Sequence, residues 1–179
     1  SDLALRDVYF EPCQELHCRF STDQHGVAVD VGHTADDSAT LQLVLRELAY
    51  RYARAADRRD YETFRTVFTE DGRVAGFSGV PGESELLYEM VGHDAICDGM
   101  RGLERYDTTF HFVGNQLVEV DGDTASGETY CVAHHLYDHA GVRMNYTMFI
   151  RYQDRYRRTG AGWRIRERLL ALDFGRHAP

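Results

Sequence analysis

Apolar residues recur every three or four positions over residues 41–56, which is the spacing of one face of an α-helix. The members of this stripe are Leu41, Leu45, Leu48, Tyr52 and Ala56. Asp57 follows on the flank of the stripe, near the expected C-terminal end of the helix, where a carboxylate opposes the helix macrodipole by about 0.3–1 kcal/mol. Because Asp57 breaks this local rule, we predict that it is a functional residue. The alternative is a surface ion pair with Arg54, Arg58 or Arg59.

The pattern after this helix predicts two shorter helices and then a series of strands. Asp60 is predicted to cap a helix over residues 61–68, because its short side chain can accept from free N–H groups in the first turn. A strand over 73–77 and a helix over 93–103 follow. From residue 107 onward, alternating residues separated by turn sequences predict four strands joined as antiparallel hairpins. Helices followed by hairpins are typical of an α+β fold.

The strand that begins near residue 108 carries a histidine among apolar residues. Strict alternation puts one set of side chains on one face of this strand, namely Thr109, His111, Val113, Asn115 and Leu117. The other face then carries Phe110, Phe112, Gly114, Gln116 and Val118. A lone histidine in a covered strand is often a hydrogen-bonded core or pocket-wall residue. In combination with Asp57, however, His111 is a candidate general acid–base, since imidazole exchanges a proton near neutral pH.

Composition narrows the class of protein. A chain of 179 residues suits one domain with a substantial core. A hydrophobic fraction of 43% and a charged fraction of 27% are ordinary for a soluble protein. The net charge of −9 argues against nucleic-acid binding. No apolar run approaches the ~20 residues of a membrane helix, and the N-terminus lacks a secretion signal pattern, so we predict a cytoplasmic protein without membrane contact.

The cysteines and histidines do not form a metal-binding pattern. Cys13, Cys18, Cys97 and Cys131 lack zinc-ribbon spacing and are too sparse for a disulfide scaffold. Cys13 and Cys18 are predicted to be free thiols, with a disulfide or a metal site as the alternative. His134 and His135 are adjacent on a predicted strand, so their side chains point to opposite faces and cannot easily share one ion. We therefore predict no metal, and expect one of these two histidines to face the interior.

Four motifs, in this order along the chain, resemble the SnoaL-like branch of the nuclear-transport-factor-2-like superfamily. They are Ala55-Ala-Asp57-Arg-Arg-Asp60-Tyr with Phe68-Thr-Glu-Asp71-Gly72, then Gly92-His-Asp94-Ala-Ile96, then Thr109-Phe-His111-Phe-Val-Gly114-Asn, then Tyr152-Gln-Asp154-Arg-Tyr156 with Trp163-Arg-Ile165. The segment around His111 is similar to the catalytic-histidine segment of scytalone dehydratase. On this basis residues 40–179 form the SnoaL-like domain, and residues 1–39 form an N-terminal extension that is a candidate contact arm between subunits.

The resemblance implies a cone-shaped, curved mixed β-sheet wrapped around the N-terminal helices, a cystatin-like α+β barrel whose cavity holds the site. It also implies a cofactor-independent dehydratase, isomerase or cyclase that acts on a small cyclic or polyketide-like substrate through Asp57 and His111. Candidate substrate-binding residues are Tyr52, Asn115, Tyr130, Asn145 and Tyr146. One departure is Ala56, which stands where scytalone dehydratase carries a tyrosine beside the matching aspartate.

Two other functions remain open at this stage. The same fold serves as the β subunit of ring-hydroxylating dioxygenases, and it also serves as a non-catalytic binding domain. Self-association is expected in any of these cases. The apolar side chains predicted for the outer sheet face, Phe110, Phe112 and Val118, need cover, and a homodimer or homotrimer would provide it.

Overall fold

Helices come first and long hairpins last in the computed structural model, which describes residues 35–179. The elements are α1 (Ala35–Arg58), α2 (Tyr61–Val67), β1 (Phe68–Phe77), β2 (Leu86–Val91), α3 (His93–Met100), a 3-10 helix (Arg101–Arg105), β3 (Thr108–Asp121), β4 (Thr124–His139), β5 (Val142–Thr159) and β6 (Gly162–Ala178). The predicted extension up to residue 34, with Cys13 and Cys18, lies outside the described residues. The first helix begins at Ala35, earlier than the boundary expected at residue 40.

The six strands form one curved, mixed sheet in the order β2-β1-β6-β5-β4-β3. The β1–β6 pair is parallel and the other neighbours are antiparallel. The edge strands β2 and β3 do not pair with each other, so the sheet stays open and does not close into a complete barrel. The predicted α+β class is confirmed, with three helices packed against the curved sheet.

The predicted apolar stripe of α1 faces the core. Leu45, Leu48, Tyr52 and Ala56 are all buried, and full burial of one leucine contributes about 1.5–3 kcal/mol. Tyr52 packs edge-on against Tyr152 of β5 at a centroid distance of 5.7 Å, which brings the C-terminal half of the helix against the sheet. This contact fixes where Asp57, in the last turn of the helix, reaches the sheet.

The capping prediction for α2 is confirmed. Asp60 is the N-cap, and its carboxylate accepts from the backbone N–H of Thr63 at 3.3 Å and from the Thr63 hydroxyl at 2.7 Å. The helix ends one residue earlier than predicted, because Phe68 already has extended backbone and begins β1. The segment Leu86–Val91, for which no element was predicted, forms the edge strand β2.

A β-bulge changes the side-chain parity of β3. Val113 pairs with Cys131, but the next paired residue, Gln116, lies opposite Thr129, so two residues of β3 face only Tyr130 of β4. After the bulge, the faces are exchanged relative to strict alternation.

The exchange corrects the predicted faces of the second half of β3. Gln116 points inward, and its amide donates to the Thr129 hydroxyl at 3.1 Å. Val118, predicted for the outer face, packs against the core. Leu117, predicted beside His111, is 81% exposed.

No helix within residues 35–179 is long and apolar enough to cross a membrane.

Candidate functional site

Asp57 and His111 meet where the last turn of α1 crosses β3. Oδ1 of Asp57 lies 2.7 Å from Nδ1 of His111, and the backbone N–H of His111 donates to Oδ2 of the same carboxylate at 2.9 Å. Since an ionised carboxylate only accepts, Nδ1 of His111 must carry a proton in this pair. Nε2 of His111 is then left with its lone pair, as a general base requires.

Asp57 is held in its charged form. Burial by itself would raise the pKa of Asp57, but hydrogen bonds from the ring and the backbone of His111 outweigh it and lower the pKa below its ordinary value. The side chains are 19% exposed for Asp57 and 6% exposed for His111. The carboxylate is therefore ionised at neutral pH and can balance an imidazolium on His111.

The alternative ion pair between Asp57 and an arginine is wrong. Within residues 35–179, the salt-bridge partner of Asp57 is His111. Arg59 directly follows α1 and has a left-handed backbone conformation with φ 57°. Its guanidinium donates to four other acceptors. These are the carbonyls of Ala56 (2.6 Å), Leu103 (3.0 Å) and Tyr106 (3.2 Å) and the hydroxyl of Thr109 (2.7 Å). Arg59 thereby ties the end of α1 to the segment that enters β3 and positions Asp57 against His111.

A cavity of about 380 Å³ lies beside His111. Its wall is mainly aromatic and sulfur-containing, with the side chains of Tyr52, Tyr88, Tyr106, Tyr146, Tyr152, Met90, Met100 and Met148. His111 and His135 are the two imidazoles in the lining, whereas Asp57 is behind His111 and does not line the cavity. A space of this size, apolar with few polar groups, is typical of a small-molecule site.

His135, not His134, faces the cavity. Its ring centroid lies 5.6 Å from that of His111, and its Nδ1 lies 3.3 Å from the carbonyl oxygen of Tyr146. Because a carbonyl only accepts, this contact favours the tautomer with a proton on Nδ1. Burial and the nearby His111 lower the pKa of His135 to about 4, so it is neutral at physiological pH.

We expect this buried histidine to make stability depend on pH. The unfolded chain has an ordinary histidine pKa of about 6.5, whereas the folded pKa of His135 is about 4. Between these values the unfolded state binds more protons, so stability falls as the pH falls from 7 towards 4. For this one group, the loss between pH 7 and pH 5 is on the order of 2 kcal/mol.

Urea unfolding of the wild type and of His135→Gln at pH 7 and pH 5 measures this effect. The variant should lose less stability than the wild type over this interval, and His139→Gln, which alters an exposed histidine at the end of β4, should behave like the wild type. Equal losses in the wild type and His135→Gln would contradict a buried neutral His135.

The structure brings together some of the predicted substrate-binding residues and not others. Tyr52 and Tyr146 line the cavity. Asn115 and Tyr130 lie on the outer face. The extra residue in β3 turns Asn115 outward, and Tyr130 points outward because its neighbours on β4, Thr129 and Cys131, point inward and are buried. Asn145 precedes Tyr146 on β5 and points to the opposite face, where its amide lies 2.9 Å from Nδ1 of His134.

Several cavity residues were missed by the sequence patterns. Tyr88 and Met90 come from β2. Their spacing of two in an apolar segment could have indicated that both lie on one face of a strand. Arg105 and Tyr106 come from the end of the 3-10 helix, which carries no comparable pattern. Their position depends on the Arg59 contacts, which sequence alone does not reveal.

A buried ion pair next to two of the cavity tyrosines was also missed. Nε and Nη2 of Arg168 donate to the two carboxylate oxygens of Asp154 at 2.8 and 2.7 Å, and both side chains are fully buried. The guanidinium packs against the rings of both Tyr52 and Tyr152, 4.3 and 4.2 Å from their centroids. Burial disfavours the charge, but the adjacent Asp154 raises the pKa of Arg168 above its ordinary value. Burial also raises the pKa of Tyr52 to about 12, so that hydroxyl keeps its proton.

Metal-binding side chains do not gather in this part of the chain. Within residues 35–179, no three His, Cys, Asp or Glu side chains are arranged to hold an ion. Cys97 and Cys131 are buried free thiols.

The curved open sheet, the three helices and the cavity together define an α+β protein of the nuclear-transport-factor-2-like class. The chain belongs to the SnoaL-like domain family, whose sequence model matches residues 37–169. This confirms the resemblance found in the four motifs.

Three known proteins show what the chain resembles. The uncharacterized protein Rv2910c of Mycobacterium tuberculosis is 28% identical over 136 residues, which cover 74% of this chain and 86% of that protein. A putative scytalone dehydratase from Novosphingobium aromaticivorans superposes with a TM-score of 0.67 at 18% identity, covering 80% of this chain and 91% of that chain. The β subunit of a putative aromatic-ring-hydroxylating dioxygenase from the same organism gives a TM-score of 0.64 at 19% identity, with coverages of 78% and 93%. At these identities the two structures show a shared fold.

Proposed function

We propose that the protein is a cofactor-independent acid–base enzyme, a dehydratase, isomerase or cyclase, that acts on a small cyclic or polyketide-like substrate. The observation that supports this best is the 2.7 Å contact between Asp57 and His111, with His111 at the wall of an apolar cavity. A surface ion pair would need neither a fixed imidazole tautomer nor a histidine at the wall of an apolar cavity.

His111 would act first as a base. Its Nε2 takes a proton from a carbon next to a carbonyl group, and the electron pair of the C–H bond moves to the carbonyl oxygen as an enolate forms. Ionised Asp57 stabilises the resulting imidazolium. Tyr52 and Tyr146 keep their protons, since burial raises both pKa values, and either hydroxyl can donate to the developing oxyanion.

His111 would then return the proton as an acid. In a dehydration, the proton goes to a hydroxyl on the neighbouring carbon as its C–O bond breaks and water leaves. In an isomerisation, the proton returns to another carbon of the enolate. Neutral His135 supplies a second polar contact beside the reacting atoms without adding a positive charge.

Proton abstraction can be tested before the natural substrate is known. Cyclic ketones that bear a β-hydroxyl group are incubated with the protein in D₂O, and NMR follows loss of the signal from the hydrogen next to the carbonyl. We expect exchange with the wild type and none above background with His111→Asn. Equal exchange with both proteins would remove the support for His111 as the base.

A role as a dioxygenase β subunit is the second candidate, and it is favoured by the structural neighbour of that kind. It predicts a stable complex with a large iron–sulfur subunit and no proton exchange by the isolated chain. Co-expression with the large subunit of a ring-hydroxylating dioxygenase, followed by size-exclusion chromatography, distinguishes this function from the first.

We also propose that the protein forms a homodimer or homotrimer through the outer sheet face. Phe110 and Phe112 are 57% and 62% exposed there, and Phe174 is 57% exposed on β6. Light scattering at micromolar concentration should give a mass of two or three chains for the wild type and a lower mass for Phe112→Arg. A monomeric wild type would refute the assembly.

A further inference from the structure

The charged groups that line the cavity are unusual for this acidic chain. The protein has a net charge of −9, yet among residues 35–179 no Asp or Glu lines the cavity. The cationic side chain in the lining is Arg105, beside the neutral tyrosines and the two histidines. Among the described lining residues, no carboxylate offsets this positive charge, and Asp57 lies behind His111, with which it pairs.

Arg105 packs beside a tyrosine and has no acidic partner among residues 35–179. It is the last residue of the 3-10 helix, and its guanidinium lies 5.2 Å from the ring centroid of Tyr106. Among residues 35–179, Arg105 forms no salt bridge and no side-chain hydrogen bond. All fourteen arginine–carboxylate salt bridges in this part of the chain involve other arginines. Arg101, four residues earlier on the same helix, contacts both Asp98 and Glu104.

The charge of Arg105 reaches into the site. It is one of the groups that lower the pKa of His135, after burial and His111, whereas the charge of Asp57 acts in the opposite direction. Arginine presents planar paired donors that match a carboxylate. Arg105 is exposed at the mouth, so an anion bound there keeps contact with water while the rest of the ligand enters the apolar space.

We propose that Arg105 binds a carboxylate of the substrate, and that the substrates are therefore cyclic or aromatic carboxylic acids. The ring lies among the tyrosines and methionines of the cavity, and the carboxylate stays at the mouth. This inference rests on the proposed function for the location of the substrate site. Arg105 acts here as a binding and orienting residue, because fixing one end of the ring decides which C–H bond faces Nε2 of His111.

A matched pair of ligands isolates the charge. 2-Naphthoate and 2-naphthamide share the same rings and differ in the charge of one substituent. Titration calorimetry should show that the wild type binds the carboxylate roughly tenfold more tightly than the amide, as a charge-assisted hydrogen bond predicts. Arg105→Gln should remove this preference and leave amide binding unchanged. Arg101→Gln, on the same helix, should keep it.

Salt provides an independent measurement. Raising the ionic strength from 0.01 to 1 M shortens the Debye length from ~30 to ~3 Å, so binding of the carboxylate should weaken while binding of the amide stays constant. The inference is overturned if the wild type does not prefer the carboxylate, if Arg105→Gln retains the preference, or if neither ligand binds at millimolar concentration.

The test separates this inference from the proposed function. His111→Asn should abolish deuterium exchange while the preference for naphthoate persists. A preference that depends on Arg105, without exchange on any ketone, supports the anion site and contradicts the enzyme. Exchange on neutral ketones, without a preference for the carboxylate, supports the enzyme and contradicts the anion site.

Discussion

His111→Ala is expected to lower kcat by about 10²–10⁴-fold once a substrate is available. Among the cavity side chains, His111 is the one whose ring combines a carboxylate partner with access to the cavity. His135 does not replace it, because its pKa of about 4 leaves too weak a base at neutral pH. Steady-state kinetics and the deuterium exchange assay measure the loss.

Asp57→Asn should cause a large loss of its own. The carboxylate faces two donors, the backbone N–H and Nδ1–H of His111. An asparagine offers one acceptor and one donor, so one of these contacts becomes donor against donor unless the imidazole changes tautomer. The change would move the ring proton to Nε2 and remove the base. We therefore expect a strong fall in kcat with a smaller change in KM.

The double variant distinguishes a coupled pair from two separate residues. Groups that act as one unit give non-additive losses, so His111→Ala combined with Asp57→Asn should be scarcely slower than the poorer single variant. Asp60→Ala is a matched control, since it removes a helix cap close to Asp57 and costs about 1 kcal/mol of stability without touching the cavity. Losses that multiply, or a folded His111→Ala with normal turnover, would falsify the acid–base pair.

Arg168→Met is expected to destabilise the protein by about 3–5 kcal/mol, because it leaves Asp154 as a buried charge without its partner. The carboxylate would keep one donor, the hydroxyl of Tyr156 at 2.9 Å. The rings of Tyr52 and Tyr152 would also lose their contact with the guanidinium. Urea unfolding measures the loss.

Two comparisons test the reason for this loss. Replacing both members, with Asp154→Leu added to Arg168→Met, should recover much of the stability, since no unpaired charge remains. Arg166→Met, on the same strand, removes an exposed contact with Asp71 and should cost less than about 1 kcal/mol. If Arg168→Met costs no more stability than Arg166→Met, the buried pair does not stabilise the protein.

Local patterns in the sequence predicted most of the helices and strands. The stripe on α1 and the hairpin alternation depend on spacing within one element, and they gave α1 and the four long strands, whereas β2 was not predicted. The curved sheet was expected from the family resemblance. Asp57 and His111 were found by combining two local anomalies with the resemblance to one family. The contacts of Arg59 could not be found in this way, because they join the end of one helix to carbonyls of a distant turn.

The buried ion pair was missed because of strand register. Counting from the Thr159–Gly162 end of the last hairpin in strict register places Asp154 opposite Glu167. A register shift between Arg155 and Tyr156 places it opposite Arg168 instead. Asn115 was misplaced for the same kind of reason, since an extra residue in β3 reverses its side. Irregularities of this type arise from sheet curvature and leave little trace in the alternation of residue types.

The bulge in β3 also divides that strand into two parts that can evolve independently. Upstream of Gly114, inward positions fall on odd residue numbers and include His111; downstream of Asn115 they fall on even numbers and include Gln116. If one residue were inserted or deleted near the hairpin end of β3, the pairing could adjust at the bulge, and His111 would stay beside the cavity. In alignments of relatives, a one-residue gap at Gly114–Asn115 should therefore be expected in chains whose active-site half is otherwise unchanged.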